Sequence, residues 1–214
     1  MGVISKINKL SSLLFFRKRK VKKMQKKLEN EGFTLISSNC IGGLLYHDLK
    51  HEFLSPTINL YFNSPVEFIK FCENLNYYIS LDMTEVENNK YPIVQLGDIK
   101  LHMVHYKSFE EAKNKWDERK KRINFDKIFI IFTDRNGFHE ELLGRFDKLN
   151  YKKVFFSHTD IKEFNWICYV NEFKKSSCVG DLTTYANIFG DKFYEKHFNF
   201  IKWLNGAETK ECLK

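Results

Sequence analysis

The stretch KIFIIFT, Lys127 to Thr133, runs into Asp134-Arg135-Asn136-Gly137 and decides the fold. Its apolar residues do not alternate with polar ones. A strand wetted on one face alternates, whereas a strand covered on both faces reads as a continuous apolar run. KIFIIFT therefore predicts a strand inside a parallel sheet with helices above and below. Working outward, FTLIS (33–37), TINLYF (57–62), KKVFFS (152–157) and WICYV (166–170) read as further strands.

Helical patterns separate these runs. Gly42 to Lys50 reads as a short helix. Ser64-Pro65-Val66-Glu67 is a capping box with proline at the first helical position, so a helix opens there and carries Phe68, Ile69, Phe71, Cys72, Leu75 and Ile79 inward. Ser108 and Glu111 form a second box, opening a helix that runs to about Ile123. Glu140 to Leu149 reads as helical, as does Asp181 to Trp203 with a break near Gly190. PIVQL (92–96) and IKLHMVHY (99–106) are joined through Gly97-Asp98 and predict a hairpin, which makes the expected sheet mixed. The fold class read from these patterns is a three-layer α/β domain, mainly parallel, with helices on both faces of the sheet.

The net charge of +8 on 214 residues is unevenly placed. Residues 1–27 hold ten Lys and Arg and no acid; the other 187 residues hold 25 bases against 27 acids. The expected organisation is a basic amphipathic arm (1–27) followed by a single domain (28–214). Ile4, Ile7, Leu10, Leu13 and Leu14 recur at helical spacing in the arm, ahead of Phe15, Phe16 and a cationic block. Such a segment could lie on an anionic membrane surface, pack on the domain, or bind phosphates of nucleic acid. The near-neutral remainder makes nucleic acid the disfavoured partner. No apolar run reaches the ~18 residues a membrane-spanning helix needs. The charges of SSLLFFRKRK follow its apolar run rather than precede it, the wrong order for a secretory signal. The five cysteines form no CxxC pair, which points to a reducing compartment. The expected location is cytoplasmic, peripheral at the inner membrane face.

In α/β sheets ligands gather at the carboxyl ends of the strands. FTLIS ends in Ser37-Ser38-Asn39-Cys40, and a helix opening at Gly42-Gly43 would put Cys40 at its amino terminus, where amides and dipole favour an anion or thiolate. Ser38 and Asn39, with backbone amides near Gly42 and Gly43, are the expected substrate-binding group and could hold an oxyanion or phosphate. The alternative is a buried cysteine beside glycines that serve close packing. His105, at the end of its strand, is the expected acid–base group, with His47 as substitute. His47 and His51 share a helical spacing, but "HDLKH" lacks the glutamate of a zinc-protease motif and no third ligand follows by spacing, so no metal is expected. Asp134 and Arg135 end KIFIIFT where substrate would be oriented, and Arg119 could hold a carboxylate or phosphate.

SSNCIGGLLYHDL, SPTINLYF with EFIKFCENLNYYI, YPIVQLGDIKLHMVHYKSFEEAKNKWDERKKRIN and IIFTDRNG together resemble the bacterial family of domains of unknown function numbered nineteen-nineteen, over about Phe33 to Ser157. Its members are often labelled exopolysaccharide biosynthesis proteins. The resemblance implies an α/β domain and a context of surface glycans, and transfers no catalytic residue. The strand-end Ser38-Asn39-Cys40 also resembles the cysteine turn of another capsule-biosynthesis family, one proposed to move acyl groups from coenzyme A. No adenine- or pantetheine-binding motif accompanies it, and no cofactor is indicated. The expected function is transfer of an acyl or similar group to a cell-surface glycan or to its lipid- or nucleotide-linked precursor, with Cys40 as nucleophile. The alternative is a non-catalytic module that binds a sugar phosphate or docks on other glycan-synthesis proteins.

Overall fold

A computed structural model describes the backbone of residues 3–88 and 90–214, and the side chains of residues 12–87 and 90–214. In chain order the elements are α1 (Val3–Lys27), β1 (Thr34–Ser37), α2 (Ile41–Leu49), α3 (Pro65–Glu73), α4 (Leu75–Ser80), β2 (Thr84–Asn88), β3 (Pro92–Leu96), β4 (Ile99–His102), α5 (Phe109–Lys120), β5 (Ile128–Thr133), α6 (Leu142–Asp147), β6 (Lys152–Ser157), β7 (Ile167–Tyr169), α7 (Phe193–His197) and α8 (Phe200–Leu204).

The fold is α/β. Strands β1, β5, β6 and β7 lie side by side in that order, and every pairing is parallel. All of β5 is buried. Period two sends its side chains alternately to two cores. Ile128, Ile130 and Phe132 pack with residues of α3, α4, α5 and α6. Phe129 and Ile131 pack on the other face with α2, α8 and Met24 of α1. At roughly 1.5–3 kcal/mol for each large apolar side chain removed from water, these two layers are the main stabilising term.

The departures from expectation have local causes. The hairpin stands in its own antiparallel sheet, ordered β2-β3-β4, so the main sheet is wholly parallel rather than mixed. Along β4 burial alternates, Ile99 and Leu101 inward and Lys100 outward, as suits a sheet covered on one face. TINLYF forms no strand; Asn59 turns it at φ +64°, leaving a single bridge between Tyr61 and His102. The helix opened by Ser64 stops at Glu73 and restarts as α4, because Asn74 leaves helical geometry at φ −127°, ψ 43°. Helix α6 covers only Leu142–Asp147 of the expected stretch. Residues 181–190 are turns rather than helix. There the Asp181 carboxylate accepts from Thr183 N–H (2.9 Å), and the Asn187 side chain accepts from Phe189 N–H and Asp191 N–H. Short polar side chains that capture nearby amides compete with the helical ladder.

Helix α1 is tied to the domain from Arg17 onward. Arg17 is buried and donates to Glu195 (2.6 Å) and to the Gly190 carbonyl (3.1 Å), and it also pairs with Asp48. Lys20 pairs with Asp191, and Gln25 donates to the Asp48 carbonyl. Leu13 is half-buried, while Leu14 and Phe15 are exposed. The side chains of Ile4, Ile7 and Leu10 lie outside the described residues. Among the described residues no helix is long and apolar enough to cross a membrane.

Candidate active site

The carboxyl end of the sheet opens into a cleft of about 940 Å³. One wall is the turn from β1 into α2. Ser38 continues the strand pairing by donating to the Ile131 carbonyl, and Phe62 N–H donates to the Ser38 carbonyl. The Asn39 side-chain oxygen accepts from Ile41 N–H at 3.0 Å, which starts the helix. Cys40 occupies the N-cap position of α2. Gly42 is a packing glycine: a β-carbon there would stand 3.1 Å from Ser37 Cβ, and the residue does not line the cleft. Gly43 does line it.

The facing wall is the turn after β4. Tyr106 N–H bonds the Met103 carbonyl and His105 N–H reaches the Asn59 carbonyl, which presents the exposed His105 ring to the cleft. The Tyr106 hydroxyl donates to the Ile58 carbonyl (2.9 Å) and accepts from Arg119. Arg119 is buried behind this wall, with its guanidinium 4.9 Å from the centre of the Phe53 ring. It braces the turn and does not line the cleft, which corrects the expectation that it holds an anion there.

Across the cleft Cys40 Sγ lies 3.4 Å from His105 Nε2. Half-burial pushes the Cys40 thiol above its ordinary pKa, and the negative charge of Asp181 pushes it further the same way. Both effects favour the protonated thiol over the thiolate at Cys40.

Ser38, Asn39, Cys40, Gly43, His47, His105 and Arg135 line one cavity. His47 is exposed at the far end of α2, its Nδ1 3.8 Å from Asp48 Oδ1, and no hydrogen bond joins it to Cys40 among the described residues. Asp134 stands elsewhere. Its buried carboxylate accepts from His158 N–H (2.7 Å), His158 Nδ1 (2.6 Å) and Val179 N–H (2.7 Å), so it ties the ends of β5 and β6 to the segment after β7. These bonds engage its carboxylate within the protein, and Asp134 does not line the cleft, contrary to the expectation that it faces a substrate there. The segment it holds continues into Gly180–Thr183, a third wall of the cleft.

Asn136, next to Arg135 at the end of β5, also lines the cleft, together with residues that the sequence did not single out, among them Asn59, Tyr61, Asn63, Asp181 and Thr183. The signal for Asp181 was present in Gly180-Asp181-Leu182-Thr183, an aspartate two residues before a threonine it can bond, which marks a turn. Asn59 had none, because its left-handed backbone is set by the bridge to β4. Among the described residues no three His, Cys, Asp or Glu side chains gather as a metal-holding group.

An α/β domain with a cysteine and a histidine meeting at the strand ends is the class defined by this geometry. The chain matches the family described as Domain of unknown function (DUF1919) over residues 12–205, and it belongs to that family. The match reaches past both ends of the Phe33–Ser157 core of motifs, taking in most of α1 and the helices at the carboxyl end. The chain is also similar to an uncharacterized protein of Haemophilus influenzae, 39% identical over 186 residues, which are 86% of this chain and 89% of the relative.

Proposed function

We propose that this chain transfers an acyl group to a sugar hydroxyl of a cell-surface glycan or its precursor. The approach of Cys40 Sγ to His105 Nε2 at 3.4 Å inside the cleft carries the reading. A thiol with a raised pKa needs a base at the moment of attack, and an imidazole is the side chain best matched to that task near neutral pH. Cys40 Sγ would add to the acyl carbonyl carbon while its proton passes to His105 Nε2. The carbonyl would re-form as the donor's leaving group departs with that proton, leaving a thioester on Cys40. The acceptor hydroxyl would then give its proton to His105 and add to the thioester, and collapse would release the ester with the thiol restored. The Asn39 side-chain amide and the Gly43 N–H of α2 would hold the oxyanion.

The lining supports a sugar as acceptor. Asn59, Asn63 and Asn136 offer paired donors and acceptors, beside the rings of Phe53 and Tyr61. Amides with aromatic faces match alternating hydroxyl and C–H surfaces. The test is mass spectrometry of surface glycans from cells that carry Cys40→Ser or His105→Gln in place of the native chain. Loss of an acyl substituent in both supports the proposal; full acylation with Cys40→Ala overturns it.

One observation favours a second reading. No hydrogen bond fixes the other ring nitrogen of His105 among the described residues, and the thiol pKa is raised rather than lowered. A module that binds a sugar phosphate through Arg135, without turnover, needs neither feature. Cys40→Ala would then keep surface glycans intact while Arg135→Ala would not.

A further inference from the structure

Helix α1 carries a surface the cleft chemistry does not use. Leu14, Phe15 and Phe16 are exposed, and Phe15 is 61% accessible. The turn at 185–189 brings two more exposed apolar residues, Ile188 and Phe189, and the rings of Phe16 and Phe189 lie edge to face at 5.7 Å. These residues are exposed on rigid supports. Arg17 donates to the Gly190 carbonyl, and Gly190 sits at φ +80° against the helix, where a β-carbon would fall 2.8 Å from Arg17 N. Ala186 N–H bonds the Asp191 carbonyl and the Asn187 side chain bonds Phe189 N–H, so the turn is closed on itself. Frayed chain would hide such rings or leave them loose; this arrangement holds them outward.

The same exposed side of α1 continues with cations. Lys18, Arg19, Lys22 and Lys26 follow Phe15 at helical spacings of three, four, seven and eleven residues, all exposed, and the helix contains no acid. An apolar knob of aromatic and aliphatic side chains beside a cationic stripe matches the boundary of an anionic bilayer. There the rings enter the acyl edge, and each nearby Lys or Arg contributes about 1 kcal/mol. A second copy fits poorly, because pairing two such faces would set two acid-free cationic helices against each other.

We propose that residues 14–26 of α1 and the turn at 185–189 form one docking surface for an anionic lipid bilayer. The surface adjoins the cleft, since Gly180–Thr183 wall the cleft and the turn follows directly. A substrate carried on a lipid would be met at the membrane face.

The test is sedimentation of the full chain with vesicles of phosphatidylcholine and phosphatidylglycerol, and with phosphatidylcholine alone. The native chain sediments with the anionic vesicles and stays in solution with the neutral ones, and added salt releases it. The Phe15→Ser/Phe189→Ser pair weakens binding about tenfold, and Lys22→Glu/Lys26→Glu weakens it at least about fivefold, with circular dichroism unchanged in both. Cys40→Ser binds like the native chain, which separates this surface from the cleft chemistry. Failure to sediment with anionic vesicles overturns the proposal. So does full binding by the phenylalanine variant, a dimer that the variant converts to monomer, or tighter retention by RNA than by vesicles.

Discussion

The ends of β1 and β5 lie side by side in one sheet and carry polar residues of the same kind, yet they do opposite work. At the end of β1 the sulfur of Cys40 is half-buried and faces a cleft. At the end of β5 the carboxylate of Asp134 is buried and saturated by three donors from two segments. One strand end keeps a reactive group at a cavity; the other spends its charged group to build the wall. A polar residue at a strand end is thus a ligand candidate only once its hydrogen bonds have been counted.

The largest way to break this contrast is at Asp134. Asp134→Ala removes the acceptor of three donors, the Val179 amide buried and the two of His158 part-buried, and is expected to cost about 3–5 kcal/mol in urea unfolding. A cost below ~1 kcal/mol would make Asp134 available for ligand after all. Arg119→Met comes next. It removes the donor to Tyr106 from behind the His105 turn and is expected to cost about 1.5–3 kcal/mol in the same measurement.

Cys40→Ala should change stability by no more than ~1 kcal/mol, because a half-buried thiol contributes little packing. Its titration sharpens the contrast instead. In a Cys178→Ser background, which removes the other accessible thiol, alkylation of Cys40 by iodoacetamide followed by mass spectrometry should be slower than that of a free cysteine peptide at pH 7. The sign follows from burial: the folded state keeps the proton as pH passes the ordinary thiol value near 8.5, so the rate should keep rising above it. A plateau near pH 7 would mean a standing thiolate–imidazolium pair. The smallest effect separates the two glycines. Gly42→Ala presses a β-carbon on Ser37 and should destabilise. Gly43→Ala meets Ile58 at ordinary contact (3.4 Å) and should be neutral, or stabilising by up to ~1 kcal/mol from helix propensity.

Legibility followed the range of the forces involved. Ser64 and Ser108 cap their helices as their spacing announced, each accepting the amide three residues on, because a cap is settled within one turn of chain. Cys40 at the start of α2 was readable for the same reason. Asn59 and the hydrogen bonds of Asp134 were not. Their backbones and partners are set by segments tens of residues away, such as the bond from Val179 to Asp134 across 45 positions. The point where the arm meets the domain was hidden in the same way: nothing local in the cationic block marks Arg17 as the residue buried against Glu195, which is 178 residues distant.

The sequence by itself determined that a continuous apolar strand, Ile128 to Phe132, must be covered on both faces, since alternate side chains of a pleated strand point both ways and none here tolerates water. It also determined where α3 and α5 begin, since a capping serine acts within one turn of chain. Only the tertiary structure decided which strand-end groups meet. The distance between Cys40 and His105, 65 residues apart, is fixed by the turn after β4 bonding to Asn59 and by Arg119 bracing Tyr106, long-range contacts that no local periodicity encodes.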